Sequence, residues 1–463
     1  LGAQEPKKQA PLLKSDAPRS SEWSQRRIDD LEILPHITPM SLESAPSERV
    51  DVFISGGGPA GQTLALALAQ AGLRVAMADT QPPSVTLAEH FDGRAFAIAF
   101  ANMRMWKALG LGDALTPHAQ PIEKILVTDG RIGGPERAGV SLAHLFFDRE
   151  EIAPGADGEA LGYMLEYRHI RRALDQAVRA EARIRFIAPM KVENFETSAG
   201  GVAVTLASGE IIAADLLVGA DGRKSFVRQK AGIDTVGWPY PVTAVVATVR
   251  HAKPHGGVAH ELFLPAGPFA ILPLTNNRAN IVWAEKHKVA QALLAMNEAD
   301  FLAELRPRFG DFLGALSLEG PRFGYPLALQ LATEMIAPRV ALVADAAHGI
   351  HPIAGQGLNI GLKDVAALAE CVADSVAAGL DAADPAGLER YQRWRRVDNV
   401  AMAAATDVFD RLFSNNSPYL RFARRTGLAL VNAIGPARRF FMRTAGGAEG
   451  DLPKLLKGKA LAA

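Results

Sequence analysis

Residues Arg49–Asp79 read RVDVFISGGGPAGQTLALALAQAGLRVAMAD. The β-branched run Val50–Ile54 is a strand signal, and it ends on Gly56, Gly58 and Gly61, which fit G-x-G-x-x-G. Each glycine has a steric task. Gly56 makes a tight turn, Gly58 lets a pyrophosphate approach the backbone, and Gly61 lets helix and strand pack closely. An Ala/Leu-rich helix follows, whose unpaired first N–H groups and dipole favour an anion. A second strand then ends on Asp79, at the distance of about 20 residues where an acid accepts from an adenosine ribose hydroxyl. Strand, glycine turn, helix, strand and acid together predict a doubly wound α/β fold that binds a dinucleotide. NAD and FAD both use this turn, so the motif alone does not choose between them.

Composition bounds the rest. A chain of 463 residues exceeds one usual core, so two or more lobes are expected. With 50 basic and 50 acidic residues there is no electrostatic case for nucleic acid. Cys371 is the single cysteine, which excludes an intramolecular disulfide or a cysteine metal cage and reads as a small apolar residue on a helix. No apolar run approaches the ~20 residues that span a bilayer. Residues 1–48 mix charge, Pro and Ser without period and read as a disordered extension, with eight acidic residues arguing against a transit peptide.

Two distant segments repeat the theme of a strand running into a polar turn. In EIIAADLLVGADGRKSFVRQKAGI, Glu210–Ile233, a strand ends at Asp221–Gly222, and Arg223 and Arg228 make an anion-binding turn plausible. In RVALVADAAHGIHPIAGQGLNIGLKDVAALAE, Arg339–Glu370, a strand ends at Ala344–Asp345, where an acid can accept from a polyol. Gly355 and Gly357 then open a helix at Leu358, and a helix start of that kind stabilises the negative charge of a reduced flavin. His348 and His351 lack a third ligand and the H-E-x-x-H spacing, so packing or cofactor lining is the better reading than zinc.

Together, GGGPAG, GADGRKSFVR and VADAAHGIHPIAGQGLNIGLKDV resemble the single-component FAD-dependent aromatic hydroxylases. HPIAGQGLNIGLKDV is similar to the signature of the UbiH-type ubiquinone-biosynthesis hydroxylases. The resemblance implies that Gly56, Gly58 and Gly61 receive the FAD pyrophosphate and Asp79 the adenosine ribose. It places Arg94 near the FAD phosphates, Asp221 and Gly222 in a motif serving FAD and NAD(P)H, Asp345 on the ribityl chain, and Gly355, Gln356, Gly357, Leu358 and Asn359 along the flavin ring. Two positions depart from the family. Ala344 stands where glycine is usual, and Tyr167 stands where Asn is usual and is read as packing.

The expected architecture is α/β: a Rossmann-like FAD-binding domain built from discontinuous segments, an antiparallel β-sheet substrate domain and a C-terminal helical region. The FAD-binding segments are 49–125, 160–235 and 326–378. Residues 126–159 and 236–325 form the substrate domain, and 379–463 the helices. Phe263, Phe269, Leu272, Pro273 and Trp283 are candidate pocket-lining residues or core. No second G-x-G-x-x-G is present, so NAD(P)H is expected as a transient co-substrate. The resemblance implies oxygen transfer from O2, through a flavin C4a-hydroperoxide, to the ring of a polyprenylated phenol. It implies no catalytic triad, and no base is named. A hydroxylase of a soluble aromatic, a prenyl-chain reductase and a non-catalytic FAD-binding member of a quinone-biosynthesis complex stay open. A cytoplasmic protein is expected. Arg438, Arg439 and Arg443 beside Phe440, Phe441 and Met442 suit either a peripheral membrane contact on the inner face or a docked terminal helix.

Overall fold

The computed structural model describes residues 46–87, 93–129, 144–151, 159–264, 266–349, 356–413, 434–435, 442, 446–447 and 450–461. The expected disordered extension, residues 1–45 of it, lies outside the described residues, as do His351 and Gly355. In chain order the helices are α1 (Pro59–Gln70), α2 (Pro83–Thr86), α3 (Phe100–Ala108), α4 (Gly112–Leu115), α5 (Tyr167–Ala180), α6 (Phe226–Lys230), α7 (His287–Ala295), α8 (Glu298–Phe309), α9 (Gln356–Ala377) and α10 (Pro385–Phe413).

The strand opening on Glu48, β1 (Glu48–Ser55), is buried from Val52 to Ser55, as a strand covered on both faces must be. It lies parallel to β2 (Val75–Ala78) on one side and to β11 (Ile211–Gly219) on the other. Outward from β2 comes β8 (Ile184–Ile187); outward from β11 come β18 (Val340–Leu342) and β17 (Ile336–Ala337). A hairpin, β9 (Val192–Ser198) and β10 (Gly201–Leu206), adds antiparallel pairing to β11. Three segments far apart in sequence thus build one sheet. The strand ends of β1, β11 and β18 lie side by side, with Ser55 opposite Gly219 and Gly219 opposite Leu342. Helices α1 and α9 pack on this sheet; Leu64, Leu68, Leu362, Val365 and Leu368 are fully buried.

A three-stranded sheet, β3 (Ala95–Ala99), β7 (Gly162–Glu166) and β4 (Gln120–Ile122), stands between this body and a larger sheet. The larger sheet runs β19 (His348–Gly349), β16 (Leu316–Ala332), β12 (Thr235–His251), β15 (Arg278–Lys286), β14 (Gly267–Leu274), β13 (Val258–Leu264), β5 (Lys124–Asp129), β6 (His144–Asp148). It is antiparallel except for β13 against β5, a parallel pair between strands far apart in sequence. β16 runs to Ala332, past the limit of 325 expected for the sheet, because Ala332–Ala328 pair with the first half of β12 at Thr235–Pro239.

The alternation of a pleated strand gives the larger sheet two faces. On the back, Phe269, Ile271, Ile281 and Trp283 pack against Phe301, Leu305 and Phe309 of α8. On the front, Ile125, Val127, Leu145, Phe147, Ala259, Phe263, Leu272 and Leu274 pack against Ala95, Ala97, Ile122 and Met164 of the three-stranded sheet. Arg278 bridges the layers: 5% exposed, it holds Glu166 Oε1 at 2.5 Å and Glu319 Oε1 at 3.0 Å. Among the described residues, no helix is long and apolar enough to cross a membrane.

Candidate cofactor and substrate site

The glycine turn has the shape its sequence implies. Gly56 sits at φ +112, and a Cβ there would lie 2.2 Å from the Ala220 carbonyl oxygen, so only glycine fits between β1 and the end of β11. A Cβ on Gly61 would meet the Gly56 carbonyl at 2.0 Å. Gly58, the N-cap of α1, has nothing within 4 Å of its Cβ position and leaves room above the first turn of the helix, where Pro59 follows. The turn therefore has tight packing beneath it and open space above it, which fits a pyrophosphate.

Asp79 closes the turn from the side. Its Oδ2 accepts from the Gly57 amide at 2.6 Å and its Oδ1 from the Gln81 amide at 2.7 Å. Below lies Arg171, which spacing did not reveal because it comes from α5, more than a hundred residues away. It is 3% exposed, donates from Nη1 to the Gly57 carbonyl at 2.5 Å, and its Nε has no partner among the described residues. Arg94 lies 4.0 Å from the centroid of the Tyr167 ring, which also packs on Phe96. Tyr167 takes the packing role expected where the family carries Asn.

The Asp-Gly turn is closed through its own backbone by one oxygen of its acid. Asp221 Oδ2 accepts from the Phe226 and Val227 amides, so this carboxylate caps the start of α6. Gly222, at φ +80, turns the chain ahead of it. Arg228 points inward, with the Asp221 carboxylate near enough to offset part of the burial that pulls its guanidinium down. It is 5% exposed and donates to the Ala346 and Arg223 carbonyls, pinning the Asp221 turn to the Asp345 turn. An apolar surround and two carbonyl acceptors drew its guanidinium inward. Arg223 stays at the surface, 3.7 Å from Asp345 Oδ2.

Asp345 is exposed, at the end of β18, with its carboxylate open to a ligand. Beneath it, Asp364 is fully buried and accepts from the Ala344 amide at 3.1 Å, from His348 Nε2 at 2.5 Å and from Arg395 Nε at 2.9 Å. His348 is thereby held in a buried pair with Asp364, and among the described residues no group of three or more His, Cys, Asp or Glu could hold a metal ion. Burial pushes the Asp364 carboxyl up, but His348 and Arg395 outweigh it and hold the carboxyl below its ordinary value.

The first turn of α9 contains Gln356, Gly357, Leu358 and Asn359, and a Cβ on Gly357 would meet nothing within 4 Å. Asn359 is not a free ring contact. Its Oδ1 accepts from the Ala99 amide and Asn102 Nδ2, and its Nδ2 donates to the Ala97 carbonyl. The side chain staples the helix start to β3. Ile360, next along, packs with Tyr240, Val242, Leu327 and Leu329 of the larger sheet, so this turn opens onto the front of that sheet.

Of the candidate lining residues, Phe263 and Leu272 lie on the front face; Phe269 and Trp283 lie on the back, as core under α8. Alternation sets Pro273 on the back with them. Met442 is 3% exposed and belongs to the front-face cluster, so it points into the protein and away from any lipid surface. The arginines and phenylalanines around it lie outside the described residues. Cys371 is buried, and burial pushes its thiol up to about 11, as an inert apolar residue requires.

An open glycine turn, an exposed acid on a neighbouring strand end and a helix start facing an apolar sheet are thus set beside one another. Residues 49–406 match the FAD binding domain family. The chain belongs to that family. Among its relatives, the ubiquinone hydroxylase UbiL of Rhodospirillum rubrum is 44% identical, over 89% of this chain and 93% of the relative. The 3-demethoxyubiquinol 3-hydroxylase of Escherichia coli is 34% identical, over 85% of this chain and 97% of the relative. Among solved structures, p-nitrophenol 4-monooxygenase from Pseudomonas putida superposes with a TM-score of 0.71 at 21% identity, covering 88% of this chain and all of that one, a likeness of fold. This member of the FAD-binding family is an FAD-dependent aromatic-ring monooxygenase.

Proposed function

We propose that the enzyme hydroxylates the ring of a polyprenylated phenol in ubiquinone biosynthesis, consuming NAD(P)H and O2. The observation that carries this reading is the pairing of an intact cofactor turn with a broad apolar sheet face opposite the start of α9, in a chain whose relatives are named for ubiquinone hydroxylation.

In this reading Gly56, Gly58 and Gly61 cradle the pyrophosphate, and Arg171 supports it from below through the Gly57 carbonyl. Asp79 serves the adenosine ribose, Arg94 the FAD phosphates, Asp345 the ribityl chain, and Gly355–Asn359 the ring edge. Asp221 and Gly222 shape the turn beside Asp345 and act through it. Bound FAD supplies acceptance of a hydride from NAD(P)H and activation of dioxygen. The chain's own residues orient the substrate and exclude water: the front-face side chains Phe263, Leu272 and Leu274 form a dry wall against which a phenol ring and an apolar tail can lie. The segments 49–125, 160–235 and 326–378 make up the cofactor lobe, and 126–159 with 236–325 supply the wall. Peripheral contact with the membrane, where a polyprenylated substrate resides, completes the proposal. Flotation with liposomes of neutral and anionic lipid tests it, and absence from both floating fractions would sink it.

The main experiment is metabolite profiling of a strain lacking this chain, complemented with the wild type or with Asp345→Ala. Restoration of a hydroxylated quinone by the wild type alone is the expected result, and the accumulated precursor then identifies the ring carbon. Absence of any quinone precursor in the unrescued strain would overturn the reading.

A further inference from the structure

The front face of the larger sheet is largely apolar, and its buried polar side chains Arg278 and Asn280 are joined to partners, whereas one buried carboxylate is not. Glu261 lies in the middle of β13, with Val127 and Ala270 opposite it in the neighbouring strands and Ala259 and Phe263 as its neighbours on the same face. Ala95, Ala97, Ile122 and Met164 of the three-stranded sheet pack against this face. The residue is 9% exposed, and its carboxyl makes no hydrogen bond or ion pair with any described residue. A buried carboxylate with no partner is expensive to keep, so a fold retains one only where something else is supplied to it.

We propose that Glu261 accepts the proton of the substrate's ring hydroxyl during hydroxylation. The inference rests on the reading of the substrate as a phenol. In the strand register Glu261 lies beside Ala270 and Ala270 beside Val282, which packs with the residues that meet Ile360 at the start of α9, so a ring lying along this row has Glu261 as the unpaired polar group on the wall. The O–H bond breaks, its proton moves to a carboxylate oxygen, and its electron pair enters the ring, enriching the carbons ortho and para to the oxygen. One of these takes the incoming oxygen, with O2 and NAD(P)H of the monooxygenase reaction as oxidant and reductant. The carboxylic acid then returns the proton to the substrate oxygen as the attacked carbon releases its hydrogen to water, and the ring is aromatic again.

Burial alone pushes the Glu261 carboxyl up to about 7, which suits a base working near neutral pH. The other charged groups on this face are Arg278, Arg250 and Glu319, joined to one another and to Glu166 from the three-stranded sheet. Asp129 stands beside Phe263 in the register. None of these contributes to the shift, whose single cause is desolvation.

The test compares the FAD-loaded wild type with E261Q on a phenol carrying a short prenyl tail, from pH 5.5 to 9. E261Q is expected to keep its FAD content and to lose about 100-fold or more in hydroxylation rate. The wild-type rate should rise through an acid limb near neutrality that E261Q lacks. A fluorinated prenyl phenol, ionised in water at pH 8, should restore E261Q to within about tenfold of the wild type. E261Q within threefold of the wild type, with the limb intact, overturns the proposal. So does a loss that the ionised phenol does not relieve, since that would mark a structural role. A wild type inactive on the prenylated phenol instead fails the substrate reading, and this inference with it.

Discussion

Ala344 holds φ +54, a left-handed conformation that costs an L-residue roughly 1–2 kcal/mol. Its amide is held by Asp364, and a Cβ on Gly361 would lie 2.6 Å from the Ala344 Cβ, so the glycine on α9 makes room for the alanine. Ala344→Gly relieves the strain but adds about 0.5–1 kcal/mol of unfolded-state entropy. Urea denaturation should therefore show a gain of up to about 1 kcal/mol, and a loss above that size would refute the account. Arg171 is the second residue with a legible consequence. Arg171→Met keeps the stem and removes both the grip on the Gly57 carbonyl and the buried cation. FAD should dissociate at least tenfold more readily, about 1.4 kcal/mol, with an unchanged far-ultraviolet spectrum. Equal affinity in a fluorescence titration would remove Arg171 from the site. The glycines and acids were readable from spacing because a turn is local. Arg171 and Glu261 were not, since each gains its meaning from elements far away in the chain.

At the scale of elements, Asp364 joins the end of β18, the body of α9 and α10 through Ala344, His348, Arg395 and Asn399. Asp364→Ala leaves a buried arginine and a buried histidine without their shared acid, and should destabilise the fold by about 3–5 kcal/mol in equilibrium unfolding. A change under 1 kcal/mol would show that the cluster relaxes into solvent. The motif containing Asp364 stands out in the sequence, but its partner Arg395 lies 31 positions on in what read only as a helix. Asn359 shows the same limit from the other side. The sequence marks it as special, while the reason is a staple to Ala97 and Ala99 in a strand some 260 positions earlier.

Across the whole molecule, pH acts through histidines that the fold keeps neutral. His169, stacked on His118 at 3.8 Å, and His260, packed on Phe312, are both pushed down to about 4, chiefly by burial. A histidine whose folded value is depressed contributes stability that is complete above its unfolded value near 6.5 and is lost as pH falls toward the folded value. The unfolding free energy should thus decline between pH 6.5 and about 4, by up to about 1.4 kcal/mol per pH unit for each histidine, and the thermal midpoint should fall with it. Replacing His260 by Phe should flatten that decline; an unchanged slope would point elsewhere. The parallel sheet was legible because its strands are continuous apolar runs with turn signals behind them. The faces of the larger sheet were less so: strands such as GPFAILPL are apolar throughout, and only the placement of α8 decides which side is the back. That two-sidedness carries a consequence for genetics. Along β13, β14 and β15, neighbouring codons should fall into different phenotypic classes, odd-numbered positions of β14 and β15 changing how much protein accumulates and even-numbered ones changing which molecules it turns over. A deep mutational scan scored separately for abundance and for turnover should therefore show a barcode with a period of two.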